Sequence, residues 1–399
     1  MKNKILSFII SAFIFISVMP APVTNAADEP SVSALAAVLI SADTGEIVFS
    51  VNCDEKLPMA STTKIMTTLL CLESGNLDEE FVVDSDAIKV EGSSMGLQEG
   101  DIVTKYALCC GMLLPSGNDA ANAAAVKIAG SIESFAEMMN SRAEEIGLSQ
   151  TYFVTPSGLE GEGHGSSAYD MALLAREALQ NETFREICSS ETIKVSFGNP
   201  PYERWLTNTN KLLTMYDGVY GVKTGFTDEA GRCLVSACER DGKNLICVTL
   251  NDKNDWDDHI AMYDYGFEAV KAVSPELPDS LELNLVGADS DKITLVPDAS
   301  DLCITTLEDN FSGFSCSLVA PPFVYAPVKY GEQAAQLRIT YNDRLVCTVP
   351  LVADRNYDAS EVEAAEKNKN TLEKIILWLR QYRTRIVVQI RSKIFRQIV

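Results

Sequence analysis

The sequence predicts an α+β fold with two folded parts in series, and three observations lead there. Strand-like apolar runs stand at both ends of residues 27–273 with helical periodicity between them, so the two ends complete one antiparallel sheet. Over 275–354 the helix periodicity disappears and short alternating runs take over, punctuated by Pro and Gly, as in a small all-β domain. The last 29 residues return to helical periodicity, with an apolar and a basic face.

The chain starts Met1-Lys-Asn-Lys4, and an apolar run over 5–19 leads to Pro20 and a polar stretch ending at Ala26. A basic start, a short apolar run and small residues before a cleavage point read as a secretory leader, 1–26. The run is short for a membrane-crossing helix. "ALAAVLISADTGEIVFSV" (34–51) reads as a hairpin around Asp43-Thr44-Gly45. A buried helix carrying Ser61 follows. Helices are predicted over 103–113, 118–129 and 131–146, broken at Pro115-Ser116-Gly117 and at Gly130. After the glycine-rich "GLEGEGHGSS" (158–167), Ser167 caps a helix with Asp170 three residues on. Strands over 220–224, 233–239 and 245–250 and a helix over 255–270 close the domain. The β domain, 274–355, shows runs over 281–286, 292–296 and 337–341. A polar linker, 356–370, separates it from the tail, 371–399.

The chain holds 33 Lys and Arg against 56 Asp and Glu. Residues 27–370 alone hold 24 basic and 55 acidic side chains, a net charge of −31. So acidic a body argues against nucleic acid as a partner, because phosphate binding needs a basic footprint. The tail is the reverse, with seven Lys and Arg and only Glu373. Leu372, Ile375, Ile376, Leu379, Tyr382, Ile386, Ile390, Ile394 and Ile398 recur at three- and four-residue steps, opposite Arg380, Arg383, Arg391, Lys393 and Arg396. Such a basic amphipathic helix suits a membrane surface. Packing on the acidic body or on a second copy is the alternative. With the leader, it places the protein outside the cytoplasmic membrane, at the cell wall.

Eleven cysteines in an exported chain raise the question of disulfides. The number is odd, Cys109 and Cys110 are adjacent, and no CxxC pair occurs. Cys71, Cys109, Cys233, Cys238 and Cys247 lie in apolar runs, where cysteine behaves as a small hydrophobe. Mostly free, buried thiols are expected. Only His164 and His259 are available as imidazole ligands, and neither has ligand spacing to a cysteine pair, so no metal is expected. No cofactor is implied either.

Lys64, in "PMASTTKIMTTLL" (58–70), is out of place. Its segment is otherwise apolar, and its helix neighbours Ala60, Ser61, Thr67 and Thr68 cannot neutralise an ammonium. Ser61, three residues earlier, shares its face and can come within hydrogen-bonding distance. Serine is a weak nucleophile until a base takes its proton. Lysine becomes that base when burial or a second positive charge lowers its pKa from about 10.4. "LLPSGNDAA" places Ser116 and Asn118 on a turn between apolar helices, a hydroxyl to shuttle a proton and an amide to orient substrate. "GVKTGFTDEAG" places Lys223, Thr224 and Gly225 on a strand entering a turn. They offer a second charge, a carboxylate-binding hydroxyl and room for close approach of a substrate backbone.

Together these resemble the serine–x–x–lysine, serine/asparagine turn and Lys-Thr-Gly active-site set, at separations of 55 and 107 residues. With "ASTTKIMT", "GSSMGLQEGD", "SGNDAANAAA", "HGSSAYDMALLAR" and "KTGFTDEAGRCLVSA", residues 32–270 resemble the low-molecular-mass penicillin-binding proteins, the serine-type D-Ala-D-Ala carboxypeptidases of peptidase family S11. The β domain and terminal helix continue the likeness. The resemblance implies a transpeptidase/β-lactamase-like domain, an antiparallel sheet flanked by helices plus a helical lobe, with the site between. It implies Ser61 as acylated nucleophile, Lys64 as general base, Ser116 as proton relay, Asn118 as a substrate-backbone contact and Lys223 as an electrostatic tuner. It implies an oxyanion hole from the Ser61 and Phe226 N–H groups. The implied substrate is a peptidoglycan stem peptide ending in D-Ala-D-Ala, and β-lactams mimic it.

Two departures stand out. Relatives often carry Asn-Arg-Asn before the Lys-Thr-Gly strand, where this chain has Asn208-Thr209-Asn210. The cation that helps bind the terminal carboxylate is missing or comes from elsewhere, with Arg204 and Lys211 nearby in sequence. Phe226 stands where some relatives have histidine, so only its backbone role survives.

Other readings compete. "GSSMG" (92–96) matches a GxSxG elbow around Ser94, but an acidic, loop-like stretch follows it. A Ser/His/Asp triad would need His164 or His259, which read instead as a loop residue near the site and a helix-surface residue. A class A β-lactamase would lack the C-terminal β domain and would need a deacylating glutamate. A D,D-endopeptidase uses the same residues on cross-linked peptidoglycan. A non-catalytic penicillin- or wall-binding protein would have lost a motif residue.

Overall fold

The computed structural model describes residues 29–299, 302–307 and 313–360. The predicted leader, most of the linker and the amphipathic tail lie outside the described residues.

β1 (Ala36–Ser41) and β2 (Ile47–Val51) form the expected hairpin, with Gly45 at φ +76° in its turn. A 3-10 turn (Ala60–Thr63) leads into α1 (Lys64–Glu73), followed by β3 (Phe81–Val82), β4 (Ile102–Val103) and α2 (Lys105–Leu113). Next come α3 (Asn118–Ala129), α4 (Ile132–Ile146), α5 (Ala168–Ala178) and α6 (Glu182–Ser189). β5 (Thr192–Gly198) and β6 (Pro201–Thr207) make a second hairpin. α7 (Leu212–Met215), β7 (Val219–Thr227), β8 (Gly231–Arg240), β9 (Lys243–Asp252) and α8 (Asp255–Ala269) complete this part.

The main sheet runs β2-β1-β9-β8-β7 and is antiparallel, joining the first strands to the last as expected. β1 is apolar at successive positions because both of its faces are covered. Ala36, Val38 and Ile40 belong to the core shared with the helices α1 to α6, and Ala37 and Leu39 to the core shared with Met262 and Tyr263 of α8. Side-chain caps set the helix starts: Thr104, Ser131, Ser167 and Asn181 each accept a backbone N–H three residues on. The α6 helix and the β5–β6 hairpin are absent from the expected elements, although Phe184, Ile187 and Cys188 line one face of α6 and Ile193, Val195 and Phe197 alternate along β5. Most of β6 is exposed, Trp205 at 68%, so no apolar alternation marks it.

His259 corrects its expected place on a helix surface. It is fully buried, with Nδ1 2.7 Å from Ser236 Oγ and Nε2 3.1 Å from Thr249 Oγ1. α8 packs tightly onto the sheet because Gly266 has no side chain; a Cβ there would clash with Leu39. Burial pushes the His259 pKa down to about 3, so the ring stays neutral among hydroxyls. All five cysteines named as buried are indeed fully buried.

The C-terminal part is β throughout its described residues: β10 (Lys271–Val273), β11 (Leu281–Val286), β12 (Lys292–Pro297), β13 (Ile304–Thr306), β14 (Phe314–Val319), β15 (Val324–Tyr325), β16 (Gln333–Tyr341) and β17 (Arg344–Ala353). Its sheet runs β14-β16-β17-β12-β11-β15 over a core of its own that includes Ile293, Leu295, Leu337 and Leu351. β10 pairs with β13, which docks on the turn after β1. Ser41 Oγ donates to the Thr305 carbonyl at 2.6 Å, and Thr305 N–H donates to Asp43 Oδ2 at 2.7 Å. Arg176 of α5 reaches the carbonyls of Ala42 and Leu345.

Candidate active site

Ser61 lies in the 3-10 turn ahead of α1, not inside an α-helix as predicted. The turn serves the pair better: at three residues per turn, positions i and i+3 eclipse. Lys64 Nζ therefore sits 2.9 Å from Ser61 Oγ. Ala60, just before, holds a left-handed φ of +47°, a strained geometry that its surroundings must enforce. Two glycines do so by close approach. A Cβ on Gly225 would lie 3.1 Å from Ser61 N, and one on Gly158 would clash with the Ala60 carbonyl.

Lys64 is fully buried, and its other partners are Asn118 Oδ1 and the Ser157 carbonyl, each at 2.6 Å. None of the three partners is a carboxylate. Burial holds the Lys64 pKa well below its ordinary value, Lys223 pushes it further down, and Asp119 opposes them. A neutral amine has two N–H bonds and one lone pair. In that neutral form Asn118 and Ser157 would take the N–H bonds, which leaves the lone pair to the Ser61 hydroxyl.

Ser116 is buried in the turn between α2 and α3 at φ +65°, a second strained non-glycine residue. Asn118 opens α3. Its backbone N–H donates to Ser93 O and its Nδ2 to Glu91 O, both at 2.7 Å, which turns Oδ1 toward Lys64. On the edge strand β7, Lys223 is buried and donates to the Thr224 carbonyl at 2.9 Å. Burial pushes its pKa down to about 7. Thr224 Oγ1 meets Thr209 Oγ1 at 2.7 Å, so the residue in place of the relatives' arginine does border the site. The Phe226 side chain is 62% exposed.

The structure thus joins Ser61, Lys64 and Asn118 directly, sets Lys223 within electrostatic reach and packs Gly225 on the Ser61 backbone. Ser116 makes no hydrogen bond to Ser61 or Lys64 among the described residues. Arg204 is engaged elsewhere: it donates to the Gly96 carbonyl at 2.9 Å and lies 3.9 and 4.2 Å from the rings of Phe197 and Tyr202. Ser94 is no nucleophile elbow, for it sits in a loop and donates to Asp119 at 2.6 Å.

Asp119, Ser157 and His164 are the residues that sequence reasoning left without a role in the site. Asp119 is buried and accepts from Ser94 Oγ and from the N–H groups of Met95, Gly96, Leu97 and Ala120. It ties down the 91–97 loop whose carbonyls orient Asn118. Asp119→Ala is expected to cost about 3 kcal/mol or more, because each buried donor left without a partner costs about 1–3 kcal/mol. Denaturant unfolding measures the loss, and acylation of the remaining folded protein should also slow as Asn118 loses its orientation.

Residues 23–254 match the D-alanyl-D-alanine carboxypeptidase family, peptidase family S11. The chain is 40% identical over 224 residues to D-alanyl-D-alanine carboxypeptidase DacF of Bacillus subtilis (strain 168), covering 54% of this chain and 57% of that protein. It is 30% identical over 383 residues to D-alanyl-D-alanine carboxypeptidase DacC of Escherichia coli (strain K12), covering 87% and 90%. The crystal structure of the Streptomyces K15 DD-transpeptidase superposes with a TM-score of 0.58 at 31% identity, covering 60% of this chain and 99% of that one. The D-alanyl-D-alanine carboxypeptidase DacD of Francisella tularensis gives a TM-score of 0.56 at 27% identity, covering 83% and 95%. The chain belongs to peptidase family S11, the D-alanyl-D-alanine carboxypeptidases, and is a serine hydrolase.

Proposed function

We propose that this protein removes the terminal D-alanine from peptidoglycan stem pentapeptides through an acyl-enzyme on Ser61. The observation that carries the reading is the Lys64 amine, buried, without a carboxylate partner and 2.9 Å from Ser61 Oγ. Ser61 Oγ attacks the carbonyl carbon between the two D-alanines while Lys64 takes its proton. The Ser61 and Phe226 N–H groups stabilise the oxyanion. The C–N bond then breaks, and Ser116 relays a proton from Lys64 to the leaving amine. Lys223 and Thr224 hold the terminal carboxylate, and Asn118 holds the substrate backbone. Water hydrolyses the ester, releasing a stem peptide one D-alanine shorter and regenerating Ser61.

β-Lactams enter the same cycle as mimics of the substrate. The leader and the basic amphipathic tail support a place on the outer face of the cytoplasmic membrane, with the tail on the membrane surface. Labelled penicillin followed by peptide mass mapping tests the chemistry: a single adduct on Ser61 is expected, and folded protein without that adduct overturns the reading. D-Alanine release should be faster from a pentapeptide than from a cross-linked dimer. The reverse order would make the enzyme an endopeptidase.

A further inference from the structure

The loop over residues 154–165 is fastened to the start of α1 at three points. Thr67 Oγ1 donates to the Pro156 carbonyl at 2.6 Å, Lys64 Nζ donates to the Ser157 carbonyl at 2.6 Å, and Thr63 Oγ1 lies 2.9 Å from His164 Nε2. Residues 63, 64 and 67 are spaced to share one helix face. The bond to the lysine is therefore flanked on both sides by bonds from other residues.

His164 is held in one protonation state by its neighbours. Its Nδ1 accepts the Val154 N–H at 3.0 Å. A backbone N–H can only donate, so Nδ1 carries no proton, Nε2 does, and the ring donates to Thr63. Burial, aided by Lys56, pushes the ring's pKa down to about 4, which keeps this tautomer at neutral pH. Gly158, packed against the Ala60 carbonyl, leaves the loop no slack at the nucleophile's turn.

We propose that His164 and Thr67 are positioning residues for the base: they fix the Ser157 carbonyl, which takes one N–H of the Lys64 amine and thereby aims its lone pair at Ser61. This rests on Lys64 being the base. Neither residue touches the reacting atoms, and both act through Ser157. Without the clamp the carbonyl drifts, water reaches the amine, and the lone pair no longer has one preferred direction.

The test uses the full chain carrying Thr67→Val, Thr67→Ser, His164→Ala or His164→Gln, with acylation by labelled penicillin followed against pH and melting measured alongside. Thr67→Val and His164→Ala should acylate about 10- to 100-fold more slowly per folded molecule, the scale of a displacement near one ångström. Their acid limb should also move to higher pH, because admitted water weakens the burial that depresses Lys64. The charged groups that face the amine, Lys223 of β7 and Asp119 of α3, are unaltered in these variants. Thr67→Ser keeps the hydroxyl and should keep both the rate and the limb. His164→Gln keeps a donor toward Thr63 and should lose less than His164→Ala. Lowered melting temperatures with an unmoved limb and unchanged rates would overturn the proposal and leave the two residues structural. Failure of the base assignment reads differently, since Lys64→Arg would then acylate normally.

Discussion

Lys64→Arg is expected to abolish acylation of Ser61 while the protein remains folded. Arginine preserves the positive charge and most of the packing volume. What it lacks is a lone pair: the guanidinium stays protonated under all working conditions, so it can donate to Asn118 and Ser157 but cannot accept the serine proton. General-base catalysis contributes about 10²–10⁴-fold, and the second-order rate of penicillin acylation should fall by at least that much. The folded state is checked by melting of the same preparation. Wild-type acylation by this variant would place the base elsewhere. The absence of a carboxylate among the hydrogen-bond partners of Lys64 has the same logic, because a salt bridge would hold the amine protonated, whereas burial and Lys223 favour the neutral form and Asp119 opposes them only from a distance.

Lys223→Met is expected to inactivate the enzyme and stabilise it together. Lys223 is 1% exposed, and burial pushes its pKa from 10.5 to about 7. In the unfolded chain the amine ionises freely, so folding at neutral pH must desolvate the ammonium or release its proton. A shift of this size corresponds to about 4 kcal/mol at pH 7, at 1.36 kcal/mol per pKa unit. Methionine has a similar shape and no charge, and stabilisation of about 2–4 kcal/mol is expected after the loss of the bond to the Thr224 carbonyl. The direction with pH follows from the depressed pKa. Between about pH 7 and 10.5 the unfolded state binds more protons than the folded one, so wild-type stability rises with pH through that window. The variant should show a smaller rise, with Lys64 still contributing its share. Denaturant unfolding at several pH values measures this, and a less stable variant at pH 7 would refute it. Loss of the cation should also raise KM for peptides ending in a free carboxylate.

The sequence made much of the architecture and most of the site's members legible, for reasons that differ by residue. The β1 run is apolar at successive positions because helices cover both faces of the sheet, and that leaves a local trace. Ser61 and Lys64 are three residues apart, so their encounter is a local matter that the sequence carries. The turn at Pro115-Ser116-Gly117 and the strand at Lys223-Thr224-Gly225 are equally local patterns. In the β5–β6 hairpin only β5 leaves such a trace, with Ile193, Val195 and Phe197 at alternate positions, whereas the mostly exposed β6 does not alternate by polarity. His259 was misplaced because two polar partners, Ser236 and Thr249, await it inside, and neither is near it in sequence.

What the sequence alone determined is the set of chemical groups and the three-residue spacing that pairs a serine with a lysine. What only the tertiary structure decided is what those groups do. The acceptor that takes one of the lysine's N–H bonds is a carbonyl 93 residues away, and the acceptor that takes another is an amide 54 residues away. The loss of water that lowers the pKa of both buried lysines comes from the whole packed domain. Asp119 has no role in the sequence reading of the site, yet in space it holds the loop that orients Asn118. The reason is physical: covalent neighbours fix which donors and acceptors exist, whereas desolvation and hydrogen-bond direction depend on which distant backbone lies opposite.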